Sequence, residues 1–232
     1  MHPLLPVLQK GLEDVGLSLT SDQQTQLLAY MDLIAKWTKV YNLTAVRDAN
    51  EMLTHHLLDS LAVVAPLRRE LAKLVLPETS QTAQPGHVAQ ADGSRFNLLD
   101  VGAGAGLPGI VIAITCPEVS VTCVDTVAKK AAFIQQVAAT LKLANLKGLH
   151  ARVESLTQPY DVVCSRAFAS LLDFTAWSKS ALASHGVWMA MKGKHPADEI
   201  AALPADVQMF HVEPLVVPGL DAERSLLWIR PT

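Results

Sequence analysis

The stretch LLDVGAGAGLPG, residues Leu98–Gly109, decides the fold class of this 232-residue chain. It begins with apolar residues that suit a buried strand and continues into a turn that is rich in glycine. Pro108 stands where the first turn of a following helix is expected. Glycine lets the backbone bend sharply and lets a ligand approach where a Cβ would collide. The stretch therefore predicts a strand, a ligand-binding turn and a helix.

Strand-like runs alternate with helical runs from residue 97 onward. The predicted strands are Asn97–Val101, Val119–Asp125, Gly148–Val153, Asp161–Ser165, Gly186–Lys192, Val207–Val217 and Ser225–Arg230. The predicted helices of this region are Leu107–Thr115, Val127–Leu143, Leu171–Ser184 and Pro196–Leu203. Such alternation implies right-handed crossovers, so we expect an α/β fold with a Rossmann-like, doubly wound and mostly parallel sheet. The short turn before the last strand predicts an antiparallel finish.

The first 76 residues predict a helical extension. Amphipathic runs occupy Ser21–Val40 and Glu51–Leu67, and a weaker one, Leu4–Val15, is interrupted by proline and glycine. The pattern SDQQ predicts a capping box that starts at Ser21. Residues 77–96 are rich in Pro, Gly, Ser, Thr and Gln, which predicts a solvated insert before a core domain over 97–232.

Composition excludes several classes of protein. Half of the residues are apolar, which excludes a disordered chain. The longest apolar stretch, Leu107–Pro117, is far shorter than the roughly 20 residues that span a bilayer, and no secretory signal is visible at the start. The three cysteines form no CxxC pair, which predicts reduced thiols in a cytoplasmic protein and no metal site. A formal net charge of −3 argues against a nucleic-acid binder that works by bulk charge alone.

Two ligand classes fit the glycine turn. From Gly104 onward the spacing is G-x-G-x-x-G, which is typical of dinucleotide binding and would make the chain an NAD-dependent oxidoreductase. From Asp100 onward it is D-x-G-x-G-x-G, which resembles the first motif of class I S-adenosylmethionine (AdoMet) methyltransferases. Because the strand is already apolar at residue 98, the turn begins at Gly102, and Leu107 occupies the place of the third dinucleotide glycine. This register favours AdoMet. The candidate cofactor contacts in the turn are Gly102, Ala103, Gly104 and Gly106.

An acid closes the second predicted strand. Asp125 follows the glycine turn by about 20 residues, where a carboxylate accepts hydrogen bonds from both hydroxyls of a ribose. Both ligand classes use such an acid. Asp125 therefore predicts a nucleoside cofactor without choosing between the two.

Six segments, in a fixed order along the chain, carry a resemblance to one family. They are YNLTAVRD (41–48), HHLLDSL (55–61), LLDVGAGAGLPGI (98–110), ARVESL (151–156), VVCSRAFASL (162–171) and MKGK (191–194). Together they resemble the bacterial RsmG (GidB) enzymes, which methylate N7 of a guanine in 16S ribosomal RNA. The resemblance covers nearly the whole chain outside residues 77–96.

The resemblance implies a class I methyltransferase fold, AdoMet as cofactor, and 16S ribosomal RNA, the small ribosomal subunit or an assembly intermediate as partner. It implies cofactor contacts at Gly102, Leu107, Val153, Glu154 and Arg166. An arginine at the end of a strand can pair with the AdoMet carboxylate through a bidentate fork. We expect a monomer. A non-catalytic, RNA-associated binding module that keeps the AdoMet fold stays open as a further alternative.

The predicted reaction needs alignment rather than a general base, because guanine N7 carries an in-plane lone pair and no proton. We therefore nominate no catalytic acid or base. Phe168 is a candidate for stacking on the guanine, with packing beneath its loop as the alternative. Lys192 and Lys194 are candidates for phosphate contacts.

The N-terminal motifs carry two smaller predictions. His55 and Asp59 lie one helical turn apart but lack a third ligand, so we expect a hydrogen-bonded His–Asp pair that packs the helix on the sheet domain, and no metal. The resemblance implies that the turn at residues 42–44 lies near the cofactor.

Overall fold

The computed structural model describes residues 2–75, 95–166 and 168–232. Its strands are β1 Phe96–Val101, β2 Val119–Asp125, β3 Leu146–His150, β4 Tyr160–Arg166, β5 Leu182–Lys192, β6 Val207–Pro214 and β7 Ser225–Pro231. They form one sheet in the order β3-β2-β1-β4-β5-β7-β6. The first five strands pair in parallel, and β7 is antiparallel to both β5 and β6. The predicted α/β fold with an antiparallel finish is confirmed.

Helices cover both faces of this sheet. The N-terminal helices are α1 Leu5–Asp14, α2 Ser21–Tyr41, α3 Ala49–Met52, α4 Asp59–Leu61 and α5 Val64–Val75, with a π-helical segment Leu53–Leu58 between α3 and α4. The later helices are α6 Gly109–Thr115, α7 Ala128–Leu141, α8 Leu171–Ser178 and α9 Ala197–Ala201. Of the predicted insert, residues 77–94 lie outside the described residues, and Phe96 already begins β1.

The two faces of the sheet pack against different helices. Successive strand residues point to opposite faces, so Leu98 belongs to one apolar core and Leu99 to the other. The first core contains the N-terminal helices together with α6 and α7, and the second contains α8. The N-terminal helices therefore complete one layer of the fold and reach the edge of the sheet where β1, β4 and β5 end.

The predicted strand Gly148–Val153 is wrong in its bounds, because β3 ends at His150 and Val153 lies in a 3₁₀ turn. Gly148 stands in the middle of β3, where a Cβ would lie 2.6 Å from the carbonyl oxygen of Ala131 on α7. The glycine thus allows a close approach of helix and strand, and it does not mark a strand end. The predicted helix Leu171–Ser184 is also too long, since pairing with β4 draws residues from Leu182 onward into β5.

The capping box of α2 lies one residue earlier than predicted. Thr20 is the N-cap: its Oγ1 accepts the Gln23 N–H at 3.2 Å, and Oε1 of Gln23 accepts the Thr20 N–H at 3.0 Å. The sequence contains this T-x-x-Q pattern beside the S-x-x-Q pattern. A tertiary contact accompanies the first one, because Nε2 of Gln23 donates to the Ile114 carbonyl at 3.0 Å.

A buried acid fixes the start of α6 beneath the glycine turn. Asp100 on β1 is fully buried, and its Oδ2 accepts the Gly109 N–H at 2.8 Å. Its Oδ1 has no hydrogen-bond partner within the described part of the chain. Burial raises the pKa of Asp100 to about 7. The folded protein therefore holds a proton here at pH values where an unfolded chain has lost it.

We expect Asp100→Asn to change how stability depends on pH, because asparagine still accepts the Gly109 N–H but does not titrate. In the wild type the raised pKa makes the free energy of unfolding fall as pH rises from about 4 to about 7, by at most about 1.4 kcal/mol per pH unit from this group. Urea denaturation of both proteins between pH 5 and 8 measures the difference. A difference that is constant across this range would contradict the assignment.

Candidate functional site

A cavity of about 560 Å³ opens where β1, β4 and β5 end. Four parts of the chain form its wall: the glycine turn after β1, the ends of β4 and β5, the N-terminal segment between residues 43 and 59, and Arg224 just before β7. Open α/β sheets bind ligands at this carboxyl edge of their strands. No helix among the described residues is long and apolar enough to cross a bilayer. The same residues contain no group of three or more potential metal ligands.

The glycine turn presents its backbone to the cavity. Gly102, Gly104 and Gly106 have φ values of 67°, 61° and 88°, which lie in the left-handed region that favours glycine. A Cβ on Gly104 would meet only the Gly102 carbonyl, at 3.9 Å, so open space lies in front of it. A Cβ on Gly106 would collide with Ile110 of α6. Gly102–Ala105 and Leu107 line the cavity, whereas Gly106 packs the turn against α6.

Asp125 holds the turn from the end of β2. Its Oδ2 accepts the Gly104 N–H at 3.0 Å, and its Oδ1 accepts the Val127 N–H at 2.9 Å. Nζ of Lys130 lies 3.5 Å from Oδ2. Because a carboxylate oxygen accepts more than one hydrogen bond, Asp125 keeps capacity for a further donor. The predicted ribose acceptor and the open face of Gly104 are thus directly linked.

Two arginines meet at one buried carboxylate in the cavity wall. Nε of Arg224 donates to Oδ1 of Asp59 at 2.7 Å, and Nη1 of Arg166 donates to Oδ2 at 3.0 Å. Nη1 of Arg166 also donates to the carbonyl of His55 at 3.0 Å. One carboxylate and two guanidinium groups leave a net charge of +1 on this part of the wall.

This cluster corrects one prediction and adds one residue. The expected His55–Asp59 hydrogen bond is wrong, because the side-chain partners of Asp59 among the described residues are two arginines and not the histidine. Arg224, which precedes β7 in a polar turn, was not predicted, because no spacing pattern links it to Asp59. Arg166 does lie at the cavity, as its place at the end of β4 predicted.

The second histidine of the motif is the buried one. Nε2 of His56 lies 2.7 Å from Oγ1 of Thr44, which also accepts the Val46 N–H at 3.2 Å. Burial lowers the pKa of His56, so its neutral form is favoured. Thr44 and Leu43 line the cavity, which places the turn at residues 42–44 beside the glycine turn.

The two candidate lysines differ in their surroundings. Nζ of Lys192 donates to both carboxylate oxygens of Glu199, at 2.8 and 3.1 Å, and to the Ala169 carbonyl at 3.1 Å. Its side chain is only 16% exposed. Lys194 is exposed and has no side-chain partner among residues 2–75, 95–166 and 168–232. Of the two lysines, Lys194 is thus the one with a charge available to a phosphate.

Phe168 lies over the glycine turn. A Cβ on Gly102 would be 2.6 Å from its Cδ2 atom. Its ring is half-buried and meets Phe174 and Trp177 edge-on, at centroid distances of 6.3 and 5.8 Å. These contacts are the packing that was the alternative to stacking on a guanine.

Val153 and Glu154 lie outside the cavity wall. Val153 is buried in the second core. Glu154 is exposed and accepts a hydrogen bond from Nη2 of Arg152 at 2.8 Å, which lowers the pKa of Glu154. Their role as cofactor contacts stays a prediction.

Comparison with known proteins identifies the family. The GidB family model, described as rRNA small subunit methyltransferase G, matches residues 23–76 and 82–227. The Ribosomal RNA small subunit methyltransferase G of Polaromonas sp. (strain JS666) is 66% identical and covers 96% of this chain and 92% of its own length. That of Acidovorax sp. (strain JS42) is 64% identical over 97% and 94%.

A solved structure supports the fold class. The ribosomal protein L11 methylase of Lactobacillus delbrueckii superposes with a TM-score of 0.50 at 16% identity, covering 75% of this chain and 77% of its own, which is a likeness of fold alone. The sheet order, the glycine turn and the two sequence relatives agree with one another. The chain therefore belongs to the rRNA small subunit methyltransferase G (GidB) family of AdoMet-dependent methyltransferases.

Proposed function

We propose that this chain transfers the methyl group of AdoMet to N7 of a guanine in the 16S RNA of the small ribosomal subunit. The relatives named above are called small-subunit rRNA methyltransferases, which supports the RNA class. The observation that carries the chemistry is the cavity, where the open face of Gly104 meets a wall with one net positive charge.

The residues around the cavity fit the parts of AdoMet. The space in front of Gly104 admits a ligand close to the backbone, and Asp125 has remaining acceptor capacity for ribose hydroxyls. Arg166 uses only Nη1 in its hydrogen bonds to the described residues, so Nη2 and Nε are left to hold a carboxylate. When bound, AdoMet supplies an electrophilic methyl group on its sulfonium.

The polar groups of the wall fit a transfer without proton movement. As the bond from N7 to the methyl carbon forms, the bond from that carbon to sulfur breaks, and guanine has no N7 proton to lose. Asp59 accepts hydrogen bonds from two arginines, and Nε2 of the buried His56 is bonded to Thr44, while its Nδ1 has no partner in the described part of the chain. The transfer asks neither group to take a proton. What the chain contributes is position and exclusion of water, since in-line alignment at near-attack distance is the requirement.

The other candidate functions have less support. The NAD-dependent oxidoreductase rested on the glycine spacing and on an acid that both cofactors use, and the family match does not favour it. A non-catalytic binding module would keep the cavity and bind AdoMet without turnover. Turnover on a ribosomal substrate separates an enzyme from that module.

The direct test is to map N7-methylguanosine in ribosomal RNA. Purified chain and AdoMet should convert one guanosine to N7-methylguanosine in small subunits taken from a strain that lacks the gene. Subunits from the complemented strain should gain no further methyl group. Reverse-transcription stops after borohydride and aniline treatment locate the nucleotide. If AdoMet binds and no ribosomal substrate gains the modification, the enzyme hypothesis is wrong.

We expect Gly104→Val to lower the affinity for AdoMet by about 100-fold or more, because a branched side chain at a positive φ fills the space in front of the turn. Calorimetric titration measures the loss. Gly16→Val is the matched control, since Gly16 also has a positive φ, 68°, and a Cβ there would meet no atom within 4 Å, away from the cavity. Equal AdoMet affinity in the two variants would remove the glycine turn from the cofactor site.

We expect Arg166→Gln to weaken binding of AdoMet about tenfold or more, the usual effect of losing a charge-assisted hydrogen bond. Decarboxylated AdoMet lacks the group that Arg166 is proposed to hold, so its affinity should change little. Arg69→Gln is the control, because Arg69 pairs with Glu213 outside the cavity. If both ligands lose affinity equally, Arg166 has only a structural role.

A further inference from the structure

Three aromatic side chains form a line from the first core to the surface at the end of α2. Phe133 of α7 is fully buried, and its ring centroid lies 5.3 Å from that of Trp37. The Trp37 ring lies 5.1 Å from that of Tyr41. Tyr41 is 41% exposed, and its neighbour Val40 is 71% exposed. The ring of Tyr41 therefore packs against Trp37 on one side, while its other side remains in solvent.

The direction of the helices places this ring at the carboxyl edge of the sheet. Nε2 of Gln26 donates to the carbonyl of Leu141, the last residue of α7, whereas Trp37 meets Phe133 nearer the start of α7. The two helices therefore run antiparallel. One turn beyond Trp37, Tyr41 approaches the start of α7, where Lys130 contacts Asp125. The chain then continues directly into the cavity wall.

Three lysines without partners lie on the same two helices. Lys36 and Lys39 on α2 and Lys129 on α7 are exposed, and none has a side-chain hydrogen bond or ion pair to a residue that the structure describes. Beyond α8, Lys179 pairs with Asp206 at 2.6 Å and Lys192 with Glu199 at 2.8 Å, so that Lys194 is the lysine there without a partner among the described residues. We refer to Lys36, Lys39, Val40, Tyr41 and Lys129 as the α2–α7 rim.

Hydrogen bonds hold the turn that follows the ring. Asn42 ends α2 in the left-handed conformation, with φ 51°, and its Oδ1 accepts a hydrogen bond from Nη2 of Arg47 at 2.9 Å. The Asn42 N–H donates to the Thr38 carbonyl at 3.1 Å. A surface that is already ordered loses little entropy when it binds a partner.

We propose that the α2–α7 rim binds an unpaired nucleotide of the RNA substrate that neighbours the methylated guanine, with its base stacked on Tyr41 and its phosphates on the lysines. The inference rests on the proposed function and extends it to a second RNA contact. Exposed aromatic rings flanked by cations bind single-stranded nucleic acid in this way, with little dependence on sequence. Because the rim continues into the cavity wall, a nucleotide bound at the rim is a neighbour of the guanine in the cavity.

Tyr41→Ala should raise the KM for small subunits and the Kd for protein-free 16S RNA about tenfold, the usual effect of losing one stacked base. The kcat and the Kd for AdoMet should stay at wild-type values. Tyr41→Phe should restore RNA binding, because the ring is what stacks. Val7→Ala is the matched control, since Val7 is an apolar residue of α1 that is 47% exposed away from the cavity.

The lysines are tested through salt dependence. Replacing both Lys36 and Lys39 by glutamine should reduce the slope of log affinity against log salt concentration by about 1.4, from about 0.7 for each contact to a single strand. The control replaces Lys142 and Lys147, which are also unpartnered within the described residues but lie beyond the far end of α7. That variant should keep the wild-type slope.

The outcomes separate this proposal from the proposed function. If the wild type does not methylate small subunits, the proposed function fails. If the wild type is active and Tyr41→Ala binds RNA like the wild type, only the rim is wrong. A rise in the Kd for AdoMet would assign Tyr41 to the cofactor site, and an effect on subunits but not on protein-free RNA would assign it to a ribosomal protein. Both results overturn the proposal.

Discussion

The carboxylate of Asp59 joins parts of the chain that are remote in sequence. It lies on an N-terminal helix, and its two partners come from the end of β4 and from the residue before β7. A charge buried without partners costs several kcal/mol, and removing one partner of a buried pair typically costs about 3–5 kcal/mol. The cluster can therefore form only when the N-terminal helices, β4 and β7 are all in place. This constraint makes the N-terminal helices a wall of the site, and folding of the three parts assembles the cavity.

Two other acids hold the glycine turn from different sides. Asp100 lies beneath it and holds the start of α6 through Gly109, while Asp125 lies beside it and holds Gly104. Desolvation raises the pKa of Asp100, so its protonated form is favoured and less charge is buried in the core. Asp125 is also buried and lies outside the cavity lining, where its two oxygens accept the Gly104 and Val127 N–H groups. Both acids thus maintain the shape of the turn, and Asp125 has the further role of ribose acceptor only in the proposed function.

Much of the fold could be predicted because it depends on local pattern. The alternation of strands and helices, the glycine turn and the acid after β2 are visible within short windows of sequence. Gly148, Gln23 and Arg224 show where such prediction ends. Residues from other elements decide three points that local pattern leaves open. They decide whether Gly148 ends a strand or allows a helix to approach, which of two glutamines completes the capping box of α2, and which arginine reaches Asp59. The partner of Lys192 was likewise unpredictable, because Glu199 reaches it only after β5 has ended and α9 has folded back.

The same distinction explains how a chain with a net charge of −3 is suited to act on RNA. Bulk charge counts every lysine and arginine equally, yet Lys179 and Lys192 are neutralised by acids beside them. Attraction for phosphate depends on the charges that remain unpaired, and salt screens this attraction over a distance of about 8 Å at physiological ionic strength. Unpartnered lysines then attract phosphate only near their own positions, whereas the rest of the surface repels RNA or does not attract it. We expect a protein built in this way to bind arbitrary RNA weakly and to release its product readily. In the two proposals above, selectivity comes from the shape that brings one guanine to the cavity while its neighbour reaches the α2–α7 rim.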